Sequence, residues 1–265
     1  MEADYRVHLA NPAAMQQYSG LKYTDDHSEA RWLAHLLRLG VLPEGYIYPK
    51  AERAVRDLLR TRAHVVRQHT ANVLSVQNIM ARNTGARFSG KRIHELTKQE
   101  RTTLLAEEPQ GLAVTSSLMV LDCLRHQSNM LEQTVHQRLH HTPSYEQVLT
   151  VQGIGTILAQ TIALETGAIR RFPSVGHYAS YCRCVDSTKI SHGKRKGTGN
   201  GKNGQPYLAW AYMEAAQFAL RFQPAAQRFY QRQLAKSRNN MVLARKAVAH
   251  KLARACYSRM RDLVP

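Results

Sequence analysis

Between Lys50 and about Arg82 the chain carries neither glycine nor proline, and Val55, Leu58, Leu59, Val65, Val66, Val73, Leu74 and Ile79 return at three- and four-residue intervals among arginines. That spacing lines one face of a helix, so one long basic helix is predicted. A second long helix is predicted over roughly Leu112 to His141, striped by Leu118, Leu121, Leu124, Leu131 and Val135. Between them a polar interruption near Asn83 to Ser89 leads into IHELTKQERTTLLAEEP, which reads as one or two shorter helices. Two long helices joined by a short helical link suggest an antiparallel, coiled-coil-like pair. The same stripes also serve ordinary core packing.

Outside this pair the pattern changes. Residues 1–23 read as irregular to extended, and DDHSEARWLAHLLRLG then places Ala30, Leu33, Ala34 and Leu37 at helical spacing and stops at Gly40. LPEGYIYP, bounded by prolines, reads as an extended connector. After Pro143 glycine becomes frequent until about residue 204, and from Tyr207 to Met260 alanine-rich helices return, broken at Pro224. The expectation is a mainly α-helical protein in three segments, 1–49, 50–143 and 144–265, without internal repeats.

Charge changes the picture. Thirty-seven Lys and Arg against 19 Asp and Glu give a formal net charge of +18 and a pI near 10.1. Cations that face phosphates gain from counterion release, so nucleic acid is the expected partner class. No apolar run approaches the ~18 residues a membrane span needs, and the opening MEADYRVHLANP reads as neither a secretory signal nor a transit peptide. A cytoplasmic location with four reduced cysteines is expected.

Four stretches could carry chemistry. In LTVQGIGTILAQTIA, Gly153 and Gly155 precede Thr156 and an apolar helix. This is the pattern of a helix-hairpin-helix, whose backbone amides approach a phosphate at a helix N-terminus; a tight turn between packed helices, with no ligand, has the same pattern. In SHGKRKGTGNGKNG, glycines 193, 197, 199, 201 and 204 argue against regular structure, while Lys189, Lys194, Arg195, Lys196 and Lys202, with Asn203, surround Ser187 and Ser191. Such a loop can wrap a phosphodiester, or stand as a solvated basic loop. Asp26 and Glu29, three apart on one helical face, could hold Mg²⁺ or form a capping box. His177, Cys182, Cys184 and His192 offer a loose zinc set with an uncommon C-x-C spacing.

Taken in order, these stretches resemble the DEDD-type transposases of bacterial insertion sequences, the IS-one-ten family and within it the IS-eleven-eleven branch. The likeness rests on LANPAAMQQYSGLKYTDDHSEARWLAHLLRLGVLPEGYIYP, on VQGIGTILAQTIALETGAIRRFPSVGHYASYCRCVDS and on SHGKRKGTGNGKNGQPYLAWAYMEAA. It implies a RuvC-like α/β fold of the RNase H class at the N-terminus, a long helical pair and a helical C-terminal domain bearing a serine. Of four metal-binding acids, the last two would be Asp26 and Glu29, the latter where aspartate is usual. The first two would lie upstream, so the likeness implies a chain that begins inside the RuvC-like domain, with impaired catalysis. The family's P-S-x-x-x-S-G stretch fits VDSTKISHG, with Asp186 for the proline and His192 for the glycine, and implies Ser191 as the nucleophile that forms a phosphoserine bond to DNA. Mg²⁺, an element-encoded guide RNA and a dimer or tetramer with composite active sites are further implications. The alternative is a non-catalytic helix-hairpin-helix DNA-binding, or RNA-binding, protein.

Overall fold

The computed structural model of the protein describes residues 6–15, 25–105, 108–185, 188–192, 194–198 and 203–262, and these are mainly helical. They fall into two compact units, Met1–Lys50 and Ala51–Pro265. In the first unit, α1 (Pro12–Met15) and α2 (Asp26–Arg38) accompany a connector that runs without helix from Val41 to Pro49. An antiparallel bridge joins Ala10 to Glu44, flanked by bonds from Asn11 N–H to the Pro43 carbonyl (2.8 Å) and from Gly45 N–H to the Leu9 carbonyl (2.7 Å). This bridge is the β-structure of the first unit among the described residues.

The second unit begins with α3 (Lys50–Thr84), about 52 Å long at 1.5 Å per residue. After α4 (Gly90–His94) and α5 (Lys98–Leu104), α6 (Glu108–Leu139) runs back along it. Arg62 of α3 meets Glu132 of α6 at 3.2 Å toward one end, while Val76 and Met80 share a core with Val114, Leu118 and Leu121 toward the other. The pairing is therefore antiparallel. Ile93, Leu96 and Leu105 of the short-helix link close that distal core.

The main core lies at the opposite end of the pair. Leu59, Val135 and Leu139 enter it directly, so the hydrophobic interior is continuous across the composition shift at Pro143. At its centre is α8 (Thr156–Thr166), every residue of which from Leu158 to Thr166 is buried. Helices α7 (Pro143–Leu149) and α10 (Pro206–Phe222) pack on it, and α12 (Met241–Arg261) packs in turn on α7, α10, α9 (Val175–Tyr181) and α11 (Pro224–Lys236). Buried alanines on α10 (211, 215, 216 and 219) and α12 (244, 249 and 253) keep the contact side chains small, which lets helix axes approach closely. The break expected at Pro224 is present. A second break, at Arg238 and Asn239 (φ +52° and +60°), is closed by Asn240, whose side chain accepts from the Val242 and Leu243 amides and caps α12.

One expectation is corrected here. The glycine-rich stretch is not without regular structure: β1 (Thr188–Ser191) and β2 (Lys194–Thr198) pair antiparallel. The register sets Thr188 against Thr198, Lys189 against Gly197, Ile190 against Arg195 and Ser191 against Lys194, with an irregularity between Lys189 and Ile190. Thr188, Ile190 and Thr198 are β-branched and favour the pleated backbone. His192, at φ +51°, lies in the connection between the strands, and Gly197 (φ +147°) sits beside the irregularity. Among the described residues no helix is long and apolar enough to cross a membrane.

Candidate functional site

The hairpin carrying Ser191 leaves and re-enters the helical core at two adjacent points. On the outgoing side α9 ends at Tyr181, and Arg183 (φ +57°) turns its guanidinium to donate from Nε and Nη2 to the Gly204 carbonyl, at 3.2 and 2.9 Å. On the return side the Gln205 N–H donates to the Tyr181 carbonyl at 2.7 Å. Gly204 has φ +95°, and a Cβ there would lie 2.5 Å from the Tyr181 carbonyl oxygen, so the close crossing of the two segments requires glycine.

Beneath this crossing lies a buried charge. The Glu165 side chain is 1% exposed and accepts from Arg60 Nε and Nη2, both at 2.7 Å, and from Gln205 Nε2 at 2.8 Å. A planar guanidinium fits a carboxylate through two parallel bonds, and Glu165 holds Arg60 above the usual arginine range. The same guanidinium lies 4.8 Å from the centre of the Tyr207 ring. Gln205 also caps α10, its side-chain oxygen accepting from the Tyr207 N–H. One carboxylate thus ties the long basic helix, the central helix and the foot of the hairpin together.

Ser191 ends β1 opposite Lys194. Lys194, Lys196 and Asn203 are exposed. Asp186, Ser187 and Lys202 lie outside the described residues, and for Lys189, Ser191 and Arg195 the description covers the backbone alone.

The two glycines of VQGIGT part company. Gly153 has φ +91°, and a Cβ there would lie 3.0 Å from the Ala215 carbonyl oxygen and from the nitrogen and Cβ of Ala219. Its lack of a side chain serves close packing of the turn on α10. Gly155, the N-cap of α8, is exposed with nothing within 4 Å of its would-be Cβ, and Thr156 beside it is exposed as well. That helix N-terminus carries no side-chain cap, and the first turn of a helix leaves its amides without intrahelical partners. Its surroundings mix Phe218 and Phe222 on one side with Asn129, Glu132 and His136 on the other.

Asp26 and Glu29 belong to the first unit and lie exposed on the first turn of α2. The capping box expected between them is replaced by Asp25, whose Oδ1 accepts from the Ser28 N–H at 2.6 Å; hydrogen bonds from the Ser28 hydroxyl and amide lower the Asp25 pKa. No group of three or more His, Cys, Asp or Glu is arranged for a metal ion among the described residues. The zinc reading therefore finds no site there. Cys182 and Cys184 are buried, the Cys184 thiol directed to the Cys182 carbonyl at 3.5 Å, and His177 accepts or donates to Ser174. Burial pushes the Cys184 and Cys256 thiols up to about 12.

Sequence reading missed Arg60, Glu165 and Gln205. The available signal was Glu165 itself, a lone carboxylate in the apolar helix TILAQTIALET. A buried charge requires a partner.

Residues 145–231 match the model of the Transposase IS116/IS110/IS902 family. A protein of Pseudomonas aeruginosa described as a probable family 20 transposase is 24% identical over 176 residues, covering 64% of this chain and 52% of that protein. The chain spans about half the length of this curated relative. The family match runs from Tyr145 in α7 through the hairpin and into α11, and so takes in both the hairpin and most of the frame that holds it.

Proposed function

We propose that the chain handles DNA strands as part of an insertion-sequence transposase, with Ser191 as nucleophile and the basic hairpin as the surface that holds the scissile phosphate. One observation carries the reading: the transposase-family likeness over residues 145–231 coincides with the hairpin and with the Arg183, Glu165 and Gln205 contacts that fix its feet.

A serine hydroxyl is a weak nucleophile at neutral pH and needs help from its surroundings. Here the help is positive charge: Lys194 and Lys196, with Lys189 and Arg195 in the same strands, stabilise the negative charge that builds on phosphate oxygens in the transition state. The Ser191 Oγ to phosphorus bond forms as one strand P–O bond breaks. The serine proton passes to solvent, and the displaced strand oxygen takes one up. Attack by a hydroxyl of another strand then re-forms a phosphodiester and returns the serine. The phosphoester bond count is conserved, so no nucleotide cofactor is required. Away from the hairpin, the exposed and side-chain-uncapped N-terminus of α8 at Gly155 and Thr156 grips a backbone phosphate in the manner of a helix-hairpin-helix.

The family likeness brings Mg²⁺ with it. Asp26 and Glu29 are two exposed carboxylates on one helical turn, and by themselves they are too few to hold the ion without substrate oxygens.

The test is a labelled DNA duplex bearing element ends, incubated with the parent chain and with Ser191→Ala, then run under denaturing conditions. A protein-linked DNA band that disappears in the variant while duplex binding persists is the expected result. Equal binding by both, with no covalent band from either under any divalent-ion condition, overturns the nucleophile and leaves the binding-only reading.

A further inference from the structure

We propose that the cleft between α3, α4 and α6, near the middle of the helical pair, binds a phosphate group and takes up a proton as it does so. This stands apart from the nucleophile reading, and either can fail alone.

The cleft encloses about 490 Å³. Val66 and Leu124 give it an apolar floor, and His69 and His94 contribute half-buried imidazoles from two different helices. Their rings lie 5.0 Å apart and nearly parallel, at 13°. Around them are Lys91 and Glu95 from the α4 end and Arg125 from α6, with the Ser128 hydroxyl and the Asn129 amide completing the wall.

Charge decides what such a cleft can accept. Lys91 is paired with Glu95 at 3.8 Å and Arg125 with Asp122 at 2.9 Å, so the permanent charges cancel in pairs. His69 and His94 are the groups whose protonation then changes the charge of the cleft. Burial, with His94 and Arg125 nearby, pushes the His69 pKa down, which disfavours its imidazolium form in the empty cleft. Two imidazolium ions this close repel each other. An oxyanion beside both rings removes that repulsion and gives each N–H a charged acceptor.

A tetrahedral phosphate suits the donor set better than a planar carboxylate does. Its several oxygens can be shared among two imidazoles, Lys91, Arg125, Ser128 and Asn129, which approach from three elements. A metal ion suits it poorly, because parallel rings do not aim their nitrogen lone pairs at one point. The phosphate could come from a nucleic-acid backbone or from free phosphate, and the chemistry of the cleft is the same for both.

The experiment is a pH titration of the full chain, labelled at histidine, that follows the His69 and His94 Cε1–H resonances in chloride, in inorganic phosphate of matched ionic strength, and with a short DNA duplex. Phosphate is expected to raise the apparent His69 pKa by about one unit, equivalent to tenfold tighter binding to the protonated form. The exposed His64 on the same helix should move little. His94→Gln, with α-helical content unchanged, should abolish most of the His69 response. A duplex that gives the same shift, and that phosphate displaces, identifies the nucleic-acid backbone as the source; a shift with phosphate alone identifies the free anion. Identical His69 and His94 titrations in chloride and phosphate overturn the proposal, as does a shift no larger than that of His64. A shift with duplex but none with phosphate overturns it too, since it reports only the field of DNA bound elsewhere.

Discussion

Replacing Glu165 by glutamine tests the frame of the hairpin at its most concentrated point. The carboxylate is 1% exposed and accepts three bonds, two from Arg60 and one from Gln205. Glutamine keeps the volume and one acceptor oxygen, but its amide sets a donor against the donors already present and leaves Arg60 without its counter-charge. Breaking a buried ion pair by removing one partner costs about 3–5 kcal/mol. The Arg60 side chain is 32% exposed, so water recovers part of that loss, and a destabilisation of about 2–3 kcal/mol is expected. For a folded unit of this size that lowers Tm by roughly 5–10 °C. Urea and thermal unfolding followed by circular dichroism would measure it, with Arg60→Met and the double Arg60→Met/Glu165→Met variant completing a cycle. The double variant should regain much of the loss, because an apolar pair leaves no buried charge unmatched. Hydrogen exchange supplies the local readout: in Glu165→Gln the Gln205 amide should lose protection before α12 does. A loss below about 0.5 kcal/mol, the size of an exposed bridge, would show that the carboxylate is not holding the frame.

The glycines of the α7–α8 turn should separate packing from binding. Gly153→Ala, at φ +91° and against the α10 backbone, is expected to cost about 2–3 kcal/mol by thermal unfolding, whereas Gly155→Ala, in open space at φ −89°, should stay within about 0.5 kcal/mol. Gly155→Ala should nonetheless weaken duplex binding several-fold in a fluorescence-anisotropy titration if the amides there meet a phosphate; unchanged affinity removes that contact. A third expectation concerns acid. Arg92, with the Thr97 amide and hydroxyl, pulls the Glu100 pKa down to about 2. Its contribution at the α4–α5 corner is therefore complete above the ordinary carboxylate value of 4.5 and is lost as pH falls through about 2. Glu100→Gln should flatten the stability profile over that window, and an unchanged profile would assign the acid sensitivity elsewhere.

Local pattern made the long helices legible. The uninterrupted stripe from Lys50 ends within two residues of the observed Thr84, and the second helix starts earlier than expected because Pro109 and Gly111 sit in a first turn that tolerates both. The hairpin was obscured by glycine content, although Thr188, Ile190 and Thr198 carried the opposing preference. The cap of α2 was misplaced by one residue, since Asp25 and Asp26 offer the same chemistry and only backbone conformation chooses between them. What no local pattern could reveal was the meeting of Arg60, Glu165 and Gln205. The chain separations are 105 and 40 residues, and neither Arg60 nor Gln205 stands out in its own neighbourhood. A solitary acid inside an apolar helix announces that a cation must come, without saying from where.

The cysteines differ sharply in access. Cys182, Cys184 and Cys256 are enclosed, and their elevated thiol pKa values leave almost no thiolate at neutral pH, while Cys123 lies exposed on α6. Since thiolate and access together govern alkylation, a maleimide dye added to the unmodified chain would attach at one position on the helical pair, giving a native fluorescent handle for following how the protein meets other molecules without engineering a single residue.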